Sequence, residues 1–144
     1  MSVVRRVDDA MFLWDSGRLE GAFLSALVAV AATSRRTFPD RKAISDKRAF
    51  ETFLGRRRLF QKIQGVEYRG ELHSIQHVFY KWLRCELVHE GGVPIDIEFT
   101  PDDGQGGVSV RAGGAPEYIL KLSRNWFVEL LEAVRTAPAD SGLF

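Results

Sequence analysis

A chain of 144 residues has the length of one domain and can bury roughly two thirds of its unfolded surface without staples. With 45% apolar and 27% charged residues it is neither a disordered nor a fibrous sequence. The formal charge of +1 conceals an asymmetry: residues 1–70 hold 14 Lys and Arg against 8 Asp and Glu, residues 71–144 hold 6 against 11. That division fits a basic face for nucleic acid, two complementary faces that meet in a dimer, or two halves whose charges mix on one surface.

Val3 to Leu13 places Val4, Val7, Met11 and Phe12 at helical spacing, which predicts a first helix. After Ser16 and Gly17, the segment GRLEGAFLSALVAVAATSRR is rich in alanine and leucine and apolar around most of its circumference, as expected of the central helix of a bundle. Its apolar core, Ala22 to Ala32, falls short of the roughly 20 residues that span a bilayer, and the acidic residues before it do not suit a secretory signal. The expectation is a protein without a membrane segment. TFPDRKAISD is a turn, with Ser45 or Asp46 placed to cap the next helix. From Lys47, the residues Ala49, Phe50, Phe53, Leu54, Phe60 and Ile63 continue a helical stripe, with an irregularity expected at Gly55.

ELHSIQHVFYKWLRCELVHE then predicts a helix from Glu71, with Leu72, Ile75, Phe79, Trp82 and Leu83 on one stripe and Gly91 and Gly92 closing it. PIDIEFT and VSVRA alternate around the turn PDDGQGG and read as a hairpin, to which EYILKLS, residues 117–123, adds a third strand. Asn125 to Thr136 returns to helical spacing, and residues from about 137 to 144 are expected to fray. The fold class is therefore mainly α (α+β): about five helices in one domain over 1–144, with a hairpin or small three-stranded antiparallel sheet, about 94–123, before the last helix. The lone cysteine, Cys85, cannot form an internal disulfide, which points to a reducing, cytoplasmic compartment.

Arg84 and His89 stand five positions apart, roughly 140° and about 7.5 Å along an α-helix. The chemistry suits a phosphodiester. Imidazole can move a proton to or from a ribose or leaving oxygen, and a guanidinium can hold the charge that develops on phosphorus. The competing account pairs Arg84 with Glu86, Glu90 or a neighbouring helix and leaves His89 as a cation at a helix C-terminus. Cys85 and His89 share one face, but nothing near them in sequence supplies an orienting group or oxyanion hole. His73 and His77 could chelate from one face, yet they lack the glutamate of the zinc-protease pattern HExxH and an assured third ligand, so no metal or cofactor is expected. Arg56, Arg57 and Arg58, with Arg35, Arg36, Arg41, Lys42, Lys47 and Arg48, are the candidate phosphate-holding surface for RNA. Phe53, Phe60, Tyr68, Tyr80 and Trp82 are candidates to stack bases, or else core residues.

LRCELVHEGG at the end of an amphipathic helix resembles the R-x4-H motif of the HEPN superfamily, with Arg84 at the arginine and His89 at the histidine. The resemblance covers that helix and the general helical layout. It implies a homodimeric helical bundle that gathers both residues at the dimer cleft. It further implies a metal-independent endoribonuclease acting by 2′-hydroxyl attack, often a toxin or phage-defence component with a cognate antitoxin or nucleotidyltransferase partner. Nuclease members carry a polar residue after the arginine, where this chain has Cys85, a weak donor, with Glu86 as a further auxiliary candidate. The alternative is a non-catalytic HEPN-like dimeric module that binds RNA, a nucleotide or a protein partner.

Overall fold

The computed structural model describes residues 2–63, 65–85, 91–92, 94, 96–100, 110–112 and 120–144. Helix α1 (Val3–Asp15) closes at Ser16, whose hydroxyl donates to the Phe12 carbonyl at 2.8 Å, and Gly17, at φ +76°, turns the chain into α2 (Leu19–Thr37). The two helices pack side by side. Helix α2 also meets the last helix, the helix that follows it in the chain and the segment around Trp82, so it is the central helix its composition predicts. Its small residues Ala22, Ala26 and Ala29 are fully buried and let neighbouring helices approach closely, while Phe23, Leu27 and Val30 fill the core between them.

Ser45 caps α3 (Asp46–Gly55), its hydroxyl oxygen accepting from the Arg48 N–H at 3.2 Å. The expected irregularity at Gly55 is the end of that helix: Arg56 and Arg57 turn the chain before the short α4 (Arg58–Lys62). Beyond α4 the chain departs from the helix expected at Glu71. Strands β1 (Val66–Tyr68) and β2 (Glu71–His73) form an antiparallel hairpin in the register Val66↔His73, Glu67↔Leu72, Tyr68↔Glu71. Both loop residues, Arg69 and Gly70, have positive φ (52° and 80°), as a tight two-residue hairpin turn requires. Residues 71–73 are thus held by strand pairing, and the helix begins only after Ser74, whose hydroxyl oxygen accepts from the His77 N–H. Leu72, assigned to the apolar stripe, is instead 78% exposed on the hairpin.

Helix α5 (Ile75–Val78) runs directly into a π-helical segment, Phe79–Cys85. Ile75, Phe79, Trp82 and Leu83 are buried as the stripe predicts. Strands β3 (Ile97–Thr100), β4 (Val110–Ala112) and β5 (Leu120–Ser123) form a mixed sheet in the order β3-β5-β4, rather than a hairpin with a strand added. β3 lies parallel to β5 (Ile97↔Leu120 to Thr100↔Ser123), and β4 lies antiparallel to it (Val110↔Leu122 to Ala112↔Leu120). The central position goes to the strand whose Leu120, Leu122 and Ser123 are all buried, where both backbone edges find partners.

Helix α6 (Arg124–Arg135) buries Trp126, Phe127, Leu130, Leu131, Ala133 and Val134. Trp126 meets the rings of Phe60 at 5.3 Å and Phe79 at 5.6 Å edge-on, and Phe23 stacks on Phe99 at 4.0 Å, tying α2 to the sheet. The fold is mainly helical with small sheets, the larger preceding the last helix. Of residues 137–144, expected to fray, Ala137 and Asp140 are buried: a 3-10 turn (Pro138–Asp140) returns the chain to α2, where the Thr33 hydroxyl donates to Asp140 Oδ2 at 2.6 Å and Arg36 donates to Oδ1. Among the described residues, no helix is long and apolar enough to cross a membrane.

Candidate functional site

The last turn of α2 presents Arg35 and Arg36, the loop after it presents Pro39 and Arg41, and the first turn of α3 presents Asp46. The π segment brings Tyr80 and Arg84 to the opposite wall. Together they enclose a cleft of about 520 Å³ with an apolar floor of Val28, Ala31, Ala32 and Phe50. Four arginines line it against one carboxylate, Asp46. Even with Asp140 set against Arg36 from behind, positive charge is in excess.

The arginines are not equivalent. Arg35 is a structural residue: Nε donates to the Phe38 carbonyl at 2.9 Å, Nη2 donates to the Phe38 and Ile44 carbonyls, and Nη1 meets Asp46 Oδ1 at 2.8 Å. It fastens the α2–α3 loop, and its hydrogen bond to Asp46, aided by Arg41 and Arg84, holds that carboxyl below the usual carboxylate range. Arg41 is 71% exposed and reaches Asp46 only at 3.5 Å. Arg84 is half-buried, its guanidinium 5.4 Å from the Tyr80 ring centre, and its one hydrogen bond among the described residues is a 4.0 Å contact to Cys85 Sγ. No described carboxylate pairs with it.

A π-helix bonds i to i+5 rather than i+4, so residues five apart lie nearly one above the other. Tyr80 and Cys85 are such a pair. Burial, followed by the influence of Cys85, pushes the Tyr80 hydroxyl above the ordinary tyrosine value, so it stays a neutral donor on the cleft wall. This local winding was not legible in the amphipathic pattern, which reads the whole segment as α-helix.

Of the candidate residues, Arg84 lines the cleft with Cys85 next to it, whereas His89 and Glu86 lie outside the described residues. The Arg56–Arg58 run divides. Arg57 is spent internally, on Glu129 Oε1 at 2.8 Å and Thr136 Oγ1 at 2.9 Å; Arg56 is exposed, stacked over the Phe38 ring at 4.7 Å; Arg58 is exposed. Phe53, Phe60, Tyr68 and Trp82 are core residues, leaving Tyr80 alone of the five aromatic candidates partly open.

His73 and His77 are not on one helix, yet the hairpin and α5 bring their rings to 5.4 Å, both edge-on to Trp82. Glu51 Oε1 lies 2.6 Å from His77 Nδ1. Among the described residues, no group of three or more His, Cys, Asp or Glu is placed to hold a metal ion. On the far side of Trp82, Tyr68 donates to Asp96 Oδ1 at 2.6 Å and Arg69 grips both oxygens of that carboxylate at 2.8 and 3.0 Å. This cluster fastens the β1–β2 turn to the start of β3.

No curated protein and no solved structure matches the chain. The model of the Rv1289 family matches residues 2–143. With the helical core, both sheets and the arginine-lined cleft all inside that span, the chain belongs to the Rv1289 family.

Proposed function

We propose that this protein binds single-stranded RNA, seating a phosphodiester at the mouth of the Arg84 cleft. The observation that carries the reading is Arg84 itself, a guanidinium on the wall of a net-positive cleft that makes no ion pair among the described residues and feels Asp46 only through space. Arg41 adds a second, largely exposed cation, and Tyr80 with the apolar floor offers a base a surface that does not compete for the phosphate. Cationic rims beside aromatic faces are the usual means of holding a single strand. A volume of about 520 Å³ suits one nucleotide unit rather than a duplex.

The same uncommitted guanidinium favours a second reading, cleavage, along the lines of the HEPN resemblance. In that reaction the ribose 2′-oxygen bonds to phosphorus and the bond to the 5′-oxygen breaks, leaving a cyclic phosphate and a 5′-hydroxyl. His89 carries the proton, Arg84 steadies the charge on phosphorus, and a homodimer, with an antitoxin or nucleotidyltransferase partner, completes the proposal.

Calorimetric titration with a ribo-oligonucleotide tests binding: Arg84→Gln should weaken it about tenfold, the loss of one charge-assisted contact. Wild-type protein that binds no RNA refutes the reading. Incubation of RNA with EDTA present tests cleavage, which should vanish in both Arg84→Gln and His89→Ala; binding without cutting leaves the module reading standing and removes the enzyme.

A further inference from the structure

A second cleft, of about 570 Å³, adjoins the first, and the two share one residue, Arg36. Its other cations are Arg56 and Arg57, and its apolar wall includes Phe53 and Ala133. Arg57 is already committed to Glu129 and Thr136. Arg36 stands on the ridge between the hollows, 42% exposed, and engages Asp140 through Nη2. A guanidinium has five N–H donors, so that single contact leaves most of them for a ligand. Arg56 is exposed, has no carboxylate partner among the described residues, and holds its guanidinium carbon 4.7 Å from the Phe38 ring centre. Arg84 and Arg41 thus line the first cleft, Arg56 lines the second, and Arg36 lines both.

We propose that the second cleft is a subsite for the next stretch of the same RNA strand, with Arg36 holding the phosphate that crosses the ridge and Arg56 holding the one beyond it. The inference rests on the RNA-binding reading and extends it from one phosphodiester to a track. The outer face of the Arg56 guanidinium, backed by Phe38, offers a plane on which a base can stack.

Length dependence is the test. Affinities of the full chain for a ribodinucleotide and for a ribo-octamer are measured by calorimetry over a salt series, for wild type, Arg56→Gln, Arg56→Glu and Arg84→Gln. Arg56→Gln should weaken the octamer about tenfold and make its log K against log salt slope shallower by ~0.7, the value for one phosphate contact on a single strand. It should leave the dinucleotide unchanged; Arg56→Glu should enlarge the octamer loss, and Arg84→Gln should weaken both ligands. Equal octamer affinity and slope in wild type and both Arg56 variants, with Arg84→Gln still impaired, overturns the track and leaves the single-phosphodiester reading intact. Wild type that binds neither ligand overturns both, and so does binding of a deoxy-octamer in place of the ribo-octamer. Unfolding midpoints accompany each variant, and because Arg56 is exposed those of its two variants should match wild type.

Discussion

Removing Arg36 should destabilise the protein more than neutralising its partner. The Asp140 side chain has no exposed surface and Arg36 has 42%, so the pair is one-sided: the anion is inside and the cation is half in water. In Asp140→Asn the guanidinium returns to solvent while Thr33 can still donate to the amide oxygen, so the bond from Arg36 and the charge-assisted part of the bond from Thr33 are lost, about 1–2 kcal/mol. In Arg36→Ala the carboxylate keeps its burial, retains Thr33, and loses its counter-ion. Stranding a buried charge costs about 3–5 kcal/mol, which the half-exposed mouth of this pair reduces to roughly 2–3 kcal/mol through water entry. A domain of this kind has about 5–15 kcal/mol in total, so the difference is readily measured. Urea denaturation of the two single variants and of the double variant, at constant m-value, is the assay. Arg36→Ala should have the lower midpoint, and adding Asp140→Asn to it should restore part of the loss. If Arg36→Ala costs no more than Asp140→Asn, or the double variant is the least stable of the three, the one-sided burial argument is wrong.

At Asp96, the hydrogen bond from Arg69, followed by that from Tyr68, holds the carboxyl below its ordinary value, so its stabilisation is present above the unfolded value of ~3.9 and is lost as pH falls through the folded one. Asp96→Asn should therefore flatten the acid limb of midpoint against pH, and an unaltered limb would count against the Arg69 contact. Tyr68 is pushed up by burial and then by Asp96, so the folded state keeps its proton where the unfolded chain loses it; stability should fall as pH rises beyond ~10. Tyr68→Phe should make that alkaline limb shallower. Gly70→Ala, at φ +80° with open space around the added methyl, should cost about 1–2 kcal/mol from backbone strain alone, checked by the same denaturation; no change would mean that the turn has relaxed.

The helices are legible because the outer ones bury one face each and α2 is apolar nearly all round. The periods in α1 and α6 survive as buried stripes, and Ser45 caps where capping chemistry places it. The β1–β2 hairpin was not legible: its strands are three residues long, too few to display an alternation, and its turn is Arg69-Gly70 rather than Asn-Gly. Partner choice in the mixed sheet was equally hidden, since alternation in β3 and β4 says which face is buried and nothing about who lies alongside. At the cleft, residue types were visible and their commitments were not. Arg35 and Arg57 count as cations in the sequence, but the fold spends one on the Phe38 and Ile44 carbonyls and the other on Glu129. Arg84 stands out in the sequence for its spacing to His89, whereas its place beside Arg41 depends on how the Phe79–Cys85 segment packs against the α2–α3 loop, which no apolar period encodes.

The bond from Thr33 to Asp140 joins residues 107 apart in sequence, and that from Arg36 spans 104. Contacts of that separation close a loop as long as most of the domain, and their closure entropy must be met before they contribute anything. They should be absent from the folding transition state, so weakening them should speed unfolding and leave the folding rate almost untouched. During synthesis, α2 leaves the ribosome about a hundred residues ahead of the carboxylate that orients Arg36. The ridge between the two clefts is thus among the last parts of the molecule to be set in place.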